Sequence, residues 1–593
     1  MTFLKLKTSN KLEKFIFSFA LSWWLNYFLV SLLTYFNIYT RPTVIFIIII
    51  ELVLFIFTNH KSSLTRTNLK VFDRNYIIVF LPLLVLIFIY LQIFISTLLD
   101  FSIFSTWDAV VSWNRWATDW SKNIFPKLTW EYPQLAPSNW SLSYVLMGNP
   151  NIQFWNKLSM ILFPVNTMLI FAQLALKKKN NLYLLGIPIF HLSLIYFYNF
   201  GFAIDGYVDI VLAFYSFLSF YIIFINHQQK YLLSLIFASA AAVSKQFGIL
   251  MLGLISVLNY KNIIKNRPSF LFWSLLSLAT ISWYVYKEYQ FSIGADTSNI
   301  DVLLFETAKE QSLGTNTNIL PKILFGLNRL FGIYIEQRIL FVFLVFLSLY
   351  ACRQKMGRLI FFLFVLPFFL IWSIYFSYNN MNFIIAIPFL TLSCLIGLDK
   401  LISHINHQKL NNFIIASITL LLIFFIVARG HPITNINWLI SPITLTLIIM
   451  FLARPKKVPT LPFLSIFLTV ICFIGIFFLK DTVLLSNQTQ QQRKLGVPKL
   501  NEKIYEYNRT VGIKGKIITS YQYLCFLPDL KDYCIVYSLP LNLSEVVKNK
   551  ASYILSLDTM LTPETLHLVN YNIKKGVFKQ IFDYEGTRLI QIN

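Results

Sequence analysis

The chain has 593 residues, of which 56% are hydrophobic and 13% are charged, and its formal net charge is +24. A soluble domain averages about 25% charged residues, so this composition excludes an ordinary soluble protein and indicates one embedded in a membrane. The positive charge does not indicate nucleic-acid binding, because the basic residues collect in alternate short loops between apolar segments.

The first apolar segment, from residue 15 to about 35, follows a short basic leader and has no small-residue cleavage site. We therefore predict a retained spanning helix with a cytoplasmic N-terminus. Runs close to the ~20 apolar residues that cross a bilayer recur along the chain, and residues 1–480 are predicted to contain about 13–15 spans. Four of these runs are 76–99, 154–176, 269–291 and 461–479.

The distribution of Lys and Arg predicts which loops are cytoplasmic, because cytoplasmic loops of membrane proteins carry an excess of both. This places three longer segments outside: about 100–153, about 292–337, and everything after about 480. We take the bacterial plasma (inner) membrane as the default location. The basic loops contain Lys61, Arg66, Lys70 and Arg74; Lys177, Lys178 and Lys179; Lys261, Lys265 and Arg267; Arg353, Lys355 and Arg358; and Arg454, Lys456 and Lys457.

The first external loop is rich in tryptophan, a residue that favours the membrane interface. At about 100° per residue, its central tryptophans share one side of a helix and its polar residues share another. The pattern predicts a helix that lies flat on the bilayer, and a simple amphipathic anchor with a solvated charged face is the alternative. One side contains Trp113, Trp116 and Trp120, and the other contains Asp108, Ser112, Arg115 and Asp119.

Asp108 is the leading candidate for catalysis, because it directly follows the third predicted span and so lies at the outer membrane surface. A carboxylate at that position is able to act as a general base. The alternative is a structural helix N-cap, for which Asp is a preferred residue.

Three further ionisable residues border predicted spans. Lys245 lies between two apolar stretches of about fourteen residues, where an ammonium is costly unless it is paired or hydrated. A lipid phosphate is a natural partner, and snorkelling to the interface is the alternative. Asp205 and Asp209 lie one turn apart if the segment is helical. They would bind a cation or sugar hydroxyls, or else serve as cap residues of a span.

The tail predicts a small external α/β domain at residues 487–593. We predict helices at 499–508 and 563–574, strands at 516–520, 534–537 and 553–557, and a closing hairpin at 578–592. Cys525 and Cys534 are close enough in sequence for a disulfide in an oxidising compartment, and two free thiols are the alternative. No cofactor is predicted. A divalent cation has no support, because no Asp-x-Asp pair occurs in the first external loop and the sequence has no His/Cys cluster.

Several short elements together resemble the GT-C glycosyltransferases, in particular the protein O-mannosyltransferase and lipid A aminoarabinose transferase branch. They are Asp108 after a span, Glu131-Tyr132-Pro133 in the external loop, Gly206-Tyr207-Val208-Asp209 opening the sixth span, and Ala242-Val243-Ser244-Lys245-Gln246-Phe247-Gly248 between two short helices. The external C-terminal domain is also similar. One departure is Asn382, which precedes Ile387-Pro388 at a place where the family pattern has Arg.

The resemblance implies a GT-C-like polytopic helical fold and an inverting transfer of a sugar from a polyprenyl-phosphate donor. The acceptor would be a glycolipid, polysaccharide or protein at the outer face of the membrane. Asp108 would be the base, and Lys245, with Arg115, would stabilise the leaving phosphate. Glu131, Tyr132, Asp205, Asp209 and Asn382 would contact the substrates. Membrane lipids are the remaining partners that it implies.

Other classes of protein stay open. A transporter or lipid flippase would use Glu51 and His191, which lie inside predicted spans, although we interpret each as a structural contact between helices. An O-antigen polymerase or ligase would differ mainly in using a pyrophosphate-linked oligosaccharide. A structural or receptor role is the remaining alternative.

Overall fold

The structure is a computed structural model of the full chain. It describes residues 11–59, 77–100, 102–106, 108–127, 129, 132–227, 229–265, 267–294, 319–332, 334–377, 380–403, 500–519, 534–537, 543–548, 550–557, 561, 563–584 and 587–592. Among the sequence predictions, Glu131, Cys525, the span at 461–479 and the boundary near residues 480–487 lie outside these described residues.

The described part up to residue 403 is helical, as the apolar composition predicts. In chain order the α-helices are α1 (Lys11–Tyr35), α2 (Arg41–Asn59), α3 (Ile77–Leu99), α4 (Arg115–Ser121), α5 (Leu135–Met147), α6 (Phe154–Lys178), α7 (Gly186–Ser193), α8 (Phe200–Ile204), α9 (Asp209–Phe224), α10 (Lys230–Ala242), α11 (Phe247–Ile263), α12 (Arg267–Ser292), α13 (Ile319–Phe331), α14 (Ile335–Ala351), α15 (Lys355–Ile360), α16 (Leu366–Ile371) and α17 (Ile387–Ser403).

The chain is a multi-pass membrane protein. Five helical segments in the described part are long and apolar enough to cross a bilayer. They confirm the predicted spans that begin near residues 15, 154 and 269, and α3 confirms the helix predicted at 76–99. The total of 13–15 spans and the inside–outside orientation stay predictions. The five segments are Leu12–Tyr35, Phe154–Lys178, Arg267–Ser292, Lys355–Phe376 and Asn380–Ser403.

Several spans are interrupted by turns of non-α helix. Four π-helical segments and two 3₁₀ segments occur among the described residues, and π-helical turns concentrate at functional sites in proteins. Each shifts the direction of the side chains that follow it, so the candidate residues do not lie on uniform helices. The π segments are Ala109–Asn114, Leu194–Tyr198, Phe361–Val365 and Trp372–Phe376, and the 3₁₀ segments are Asn181–Leu185 and Asn380–Ala386.

The tail forms the predicted α/β domain. Its strands are β1 (Lys516–Thr519), β2 (Cys534–Tyr537), β3 (Ala551–Leu557), β4 (Phe578–Tyr584) and β5 (Thr587–Ile592), and its helices are α18 (Leu500–Thr510), α19 (Leu543–Lys548) and α20 (Pro563–Lys574). Helix α19 is the element that the sequence analysis did not predict; its six residues are too few to show a helical period.

The five strands form one sheet in the order β2-β1-β3-β5-β4. Strands β2, β1 and β3 are parallel, whereas β5 is antiparallel to β3 and β4. Parallel neighbours require crossover connections, and the helical segment α19 lies in the connection from β2 to β3. Buried aliphatic residues, among them Ile518, Ile554 and Val569, pack as the core of this domain.

The described residues fall into two compact units. One is drawn from the ranges Met1–Ser96, Phe125–Asn139 and Leu158–Lys456, and we call it the helical unit. The other is drawn from Thr97–Ile124, Trp140–Lys157 and Lys457–Asn593, and we call it the loop–tail unit, because it combines most of the first external loop with the α/β domain. The predicted division into residues 1–480 and 487–593 stays a prediction.

Candidate functional site

A cavity of about 310 Å³ in the helical unit combines one ammonium group with polar and aromatic side chains. Three separate parts of the chain form it: the segment before α5, the break between α10 and α11, and the region around the 3₁₀ turn before α17. Pockets of this kind, largely apolar with a few polar groups, are typical of ligand sites. The lining residues are Tyr132, Lys245, Gln246, Phe247, Leu250, Phe376 and Asn382.

Lys245 lies in the break between α10 and α11, as the sequence predicts for this segment. A helix that ends inside a membrane protein leaves carbonyl groups that must find other donors. The Ser244 hydroxyl donates to the Ala241 carbonyl at 2.7 Å, the Tyr284 hydroxyl to the Ala242 carbonyl at 2.9 Å, and the Leu135 N–H to the Val243 carbonyl at 2.9 Å. The break is therefore a fixed feature of the fold.

Gly248 explains how the two short helices approach so closely at this break. A Cβ atom at this position would lie 1.9 Å from the carbonyl oxygen of Ala241, a distance that no side chain can tolerate. Only glycine allows the first turn of α11 to pack against the end of α10. The Lys245 side chain is thereby held at the edge of the cavity.

The ammonium of Lys245 is paired inside the protein. Its Nζ lies 2.5 Å from Oδ1 of Asp209 and donates a further hydrogen bond to Oδ1 of Asn382 at 3.3 Å. The side chains of Lys245 and Asp209 are 13% and 4% exposed. Burial of both charges argues against snorkelling to the interface, and Asp209 is a partner that the sequence analysis did not predict for Lys245.

Asp209 is the first residue of α9, where the helix dipole favours a negative charge. The segment from Asp205 to Asp209 is not a continuous helix, so the condition under which the two carboxylates would lie one turn apart is not met. Asp205 follows the end of α8, and Gly206, at φ +97°, turns the chain before α9 begins. Both carboxylates are buried. In the ranges that the structure describes, His, Cys, Asp and Glu form no group of three or more that would hold a metal ion.

Tyr132 lines the cavity, and its backbone is held on both sides. Its N–H donates to the Thr129 carbonyl at 2.8 Å, and its own carbonyl accepts from the Gln134 amide at 2.7 Å. The predicted residues Tyr132, Lys245 and Asn382 thus share one cavity, with Asp209 bonded to Lys245. That these four residues contact a substrate stays a prediction.

Asp108 belongs to the loop–tail unit and directly precedes the π segment Ala109–Asn114. Its side chain makes no capping hydrogen bond to this segment, which argues against the N-cap alternative. The predicted division into two faces is confirmed. Trp113, Trp116 and Trp120 are buried, whereas the polar face is partly exposed and contains Asp108, Ser112, Arg115 and Asp119.

The segment that leads into Asp108 is anchored by contacts within its own unit. The Phe104 N–H donates to Oε1 of Gln153 at 3.2 Å, and Nζ of Lys157 donates to the Ile103 carbonyl at 2.9 Å. The ring of Phe104 stacks on Trp140 with 4.5 Å between centroids. Side chains of the same unit therefore hold the backbone at Ile103 and Phe104, a few residues before Asp108.

Sequence reasoning missed four residues of the cavity wall: Gln246, Phe247, Leu250 and Phe376. The rings of Phe247 and Phe376 pack edge to face with 5.0 Å between their centroids, although 129 positions separate the two residues in the chain. In sequence, such aromatic residues are indistinguishable from the lipid-facing residues of a span. Gln246 was identifiable, because a polar residue beside Lys245 in an apolar stretch is uncommon.

Glu51 and His191, the two polar residues inside predicted spans, differ in their surroundings. His191 is buried, and its Nδ1 lies 3.3 Å from the Tyr90 hydroxyl, as expected of a contact between helices. Glu51 is exposed and lines a second, larger cavity of about 690 Å³ beside α1 and α12.

No family model and no curated protein matches the chain. Among solved structures it is similar to the crystal structure of ArnT from Cupriavidus metallidurans bound to undecaprenyl phosphate. The two chains are 12% identical, the similarity covers 86% of this chain and 98% of that one, and the TM-score is 0.48.

Proposed function

We propose that the chain is a membrane glycosyltransferase of the GT-C type that takes a sugar from a polyprenyl-phosphate donor. The observation that carries the proposal is the buried Lys245 ammonium, fixed at a helix break and facing a small, mostly apolar cavity. A charged group in a membrane protein is costly, and such groups mark substrate sites.

The cavity has the chemistry that the reactive end of a lipid-linked sugar would need. Lys245 would donate to a phosphate oxygen, and such charge-assisted hydrogen bonds are among the strongest in proteins. Phe247, Leu250 and Phe376 offer apolar surface for the first isoprenoid units. The rest of the carrier would lie in a groove between spans.

The proposed reaction is a direct displacement at the anomeric carbon. An acceptor hydroxyl or amine attacks from the face opposite the phosphate, the bond from the anomeric carbon to the phosphate oxygen breaks, and that oxygen leaves with the bonding electrons. Configuration at the sugar inverts. Lys245 stabilises the charge that gathers on the leaving phosphate, with a second contribution proposed for Arg115.

Asp108 would accept the proton that the attacking group loses. General base catalysis contributes roughly 10²–10⁴-fold in rate. The absence of a capping hydrogen bond from the Asp108 side chain argues against the N-cap alternative. Tyr132, Glu131, Asp205 and Asn382 are proposed contacts to the sugar or phosphate, and Asn382 supplies an amide but no charge.

The acceptor would be a glycolipid, a polysaccharide or a protein at the outer face of a bacterial plasma membrane. The α/β domain, predicted to be extracytoplasmic, would cover the site or select the acceptor. A transporter of small solutes would leave the amounts of carrier-linked sugars unchanged. A flippase would move the carrier without breaking its sugar–phosphate bond, and a polymerase or ligase would use a pyrophosphate-linked oligosaccharide.

Mass spectrometry of membrane lipids tests the proposal. Cells that lack the gene are complemented with wild type, Asp108→Asn or Asp119→Asn at matched protein levels. The donor should accumulate without the gene, fall with wild type and with the Asp119→Asn control, and stay high with Asp108→Asn. Unchanged carrier lipids in every strain would exclude this donor class, and two phosphates in the accumulating lipid would indicate the polymerase or ligase.

A further inference from the structure

The ammonium of Lys245 is already neutralised before any donor binds. Asp209 Oδ1 lies 2.5 Å from Nζ, and both side chains are almost fully buried. A phosphate that enters the cavity must therefore share Lys245 with a fixed carboxylate, in a place where water screens charge weakly. This competition distinguishes the site from one in which the basic residue has no ion-pair partner before the ligand binds.

The geometry sets how close the two anions would lie. A phosphate oxygen that accepts from Nζ would lie at about 2.8 Å from it. Added to the 2.5 Å between Nζ and Asp209, this puts the phosphate oxygen within about 5–6 Å of the carboxylate. At that range, and away from bulk water, each additional negative charge on the phosphate is strongly repelled.

The loaded and the spent carrier differ in this charge. A sugar-linked carrier is a phosphodiester with one negative charge, whereas the carrier released after transfer is a phosphomonoester with about −1.5 to −2 at neutral pH. The loaded carrier also brings sugar hydroxyls, which are able to donate hydrogen bonds to the carboxylate that Lys245 has partly released. Both differences favour the loaded carrier.

From this we infer that Asp209 makes the site discriminate between the loaded donor and the spent carrier, so that it promotes release of the product. This inference rests on the proposed donor class. Asp209 acts as a positioning and selectivity residue: it holds Lys245 toward the cavity and repels the dianionic product more than the monoanionic substrate.

Asn382 fits the same arrangement. Its Oδ1 accepts a second hydrogen bond from the Lys245 ammonium at 3.3 Å, and the Asn382 side chain is neutral. The described charges at this pair therefore sum to zero, with Lys245 positive and Asp209 negative. A carboxylate at position 382 would add a second repulsive charge with little change of shape, and this gives a variant whose expected effect has the opposite sign.

Binding of three probes to the purified full-length chain in nanodiscs tests the inference. The probes are a short-chain polyprenyl monophosphate, its methyl phosphodiester and the free polyprenyl alcohol, measured at pH 8. In wild type the diester should bind at least as tightly as the monoester. Asp209→Asn should tighten binding of the monoester about tenfold and binding of the diester about threefold, because the repulsion that is lost is proportional to the charge of the phosphate.

Two further variants keep the test decisive. Asn382→Asp should weaken binding of the monoester about tenfold and binding of the diester about threefold. The ratio of the two affinities should therefore change in the direction opposite to that expected for Asp209→Asn. This variant can be measured even if Asp209→Asn folds poorly. Asp399→Asn is the control, because its carboxylate accepts from Asn180 at 2.8 Å and does not line the cavity.

Each outcome has a separate meaning. If the monoester-to-diester ratio is the same in wild type, Asp209→Asn and Asn382→Asp, Asp209 does not discriminate and the inference is overturned. If no variant, wild type included, binds either phosphate better than the free alcohol, the proposed donor class fails instead. A ratio that shifts in opposite directions for the two variants supports the inference.

Discussion

The Lys245 ammonium and the Asp209 carboxylate lie 2.5 Å apart although 36 positions separate them in the chain. Lys245 is in the break between α10 and α11, and Asp209 opens α9, so the pair connects the start of α9 to the end of α10. The side chains of Lys245 and Asp209 are only 13% and 4% exposed, and the loss of either one leaves an uncompensated charge.

Replacing Lys245 with Met should therefore affect both stability and function. Breaking one partner of a buried ion pair costs about 3–5 kcal/mol. The double variant Lys245→Met/Asp209→Asn should recover much of that stability, because it leaves no charge unpaired, but it should recover no transferase activity. Thermal unfolding in detergent and carrier-lipid turnover measure the two effects.

Lys261→Met is the matched control, since that lysine lies in the last turn of α11 and contacts the ring of Tyr260. It should change neither quantity appreciably. If the double variant is no more stable than Lys245→Met, the unpaired Asp209 carboxylate is not what destabilises the single variant.

Asp108→Asn should leave the fold intact and strongly slow transfer. The side chain makes no capping hydrogen bond to the π segment, so an amide of nearly the same shape removes the negative charge and the proton acceptor without the loss of a helix cap. A rate reduced by roughly 10²–10⁴-fold is expected if the carboxylate is the general base. Transfer from a radiolabelled donor in membranes measures the rate, with Asp119→Asn in the same segment as the control. A reduction below threefold would exclude Asp108 as the base.

Much of the fold follows from short-range patterns in the sequence. The runs at 76–99, 154–176 and 269–291 form helices with nearly those bounds, because length and apolarity alone select a spanning helix. In the tail, alternating and helical periods predict the strand at 534–537 and the helix at 563–574 with the bounds observed.

The site was predictable only in part, because its chemistry depends on contacts between distant positions. The cost of burying an ammonium predicts that Lys245 has a partner but does not say which one. The identity of Asp209 as that partner depends on how α9 meets the α10–α11 break. The wall residues Phe247 and Phe376 carry no local signal, because an aromatic residue in an apolar helix of a membrane protein occurs both in the protein interior and on the lipid-facing surface.

Gly248→Ala should disrupt the break that positions Lys245. The added Cβ would lie 1.9 Å from the Ala241 carbonyl oxygen and 2.1 Å from its carbon, both of them backbone atoms that cannot move independently. Overpacking of this kind costs about 1–3 kcal/mol, and transferase activity should fall with it, because Lys245 moves.

Gly253→Ala is the control for this change. It lies in the same helix with nothing within 4 Å of the added atom, and alanine favours helix over glycine by about 1 kcal/mol. The control should be neutral or slightly stabilising. Equal unfolding temperatures for the two variants would argue against a tight approach at Gly248.

Acid should destabilise the helical unit through His227, which lies in the turn between α9 and α10 and outside both helices. Burial lowers the pKa of this imidazole, Glu13 opposes the shift, and Lys177 adds to it. In addition, Nδ1 accepts a hydrogen bond from the Gln229 N–H at 3.0 Å, and protonation would remove that acceptor.

Because the folded state holds the pKa of His227 below its unfolded value of about 6.5, the unfolded state binds the proton first. The stability contributed by neutral His227 is fully present above pH 6.5 and is lost as the pH falls through the folded pKa. The unfolding temperature of wild type should therefore drop between pH 7 and pH 5 by on the order of 1–2 °C more than that of His227→Gln. Differential scanning fluorimetry across this range measures the difference. Parallel curves for wild type and His227→Gln would mean that His227 titrates alike in both states, and the buried environment of the ring would then have no effect on acid stability.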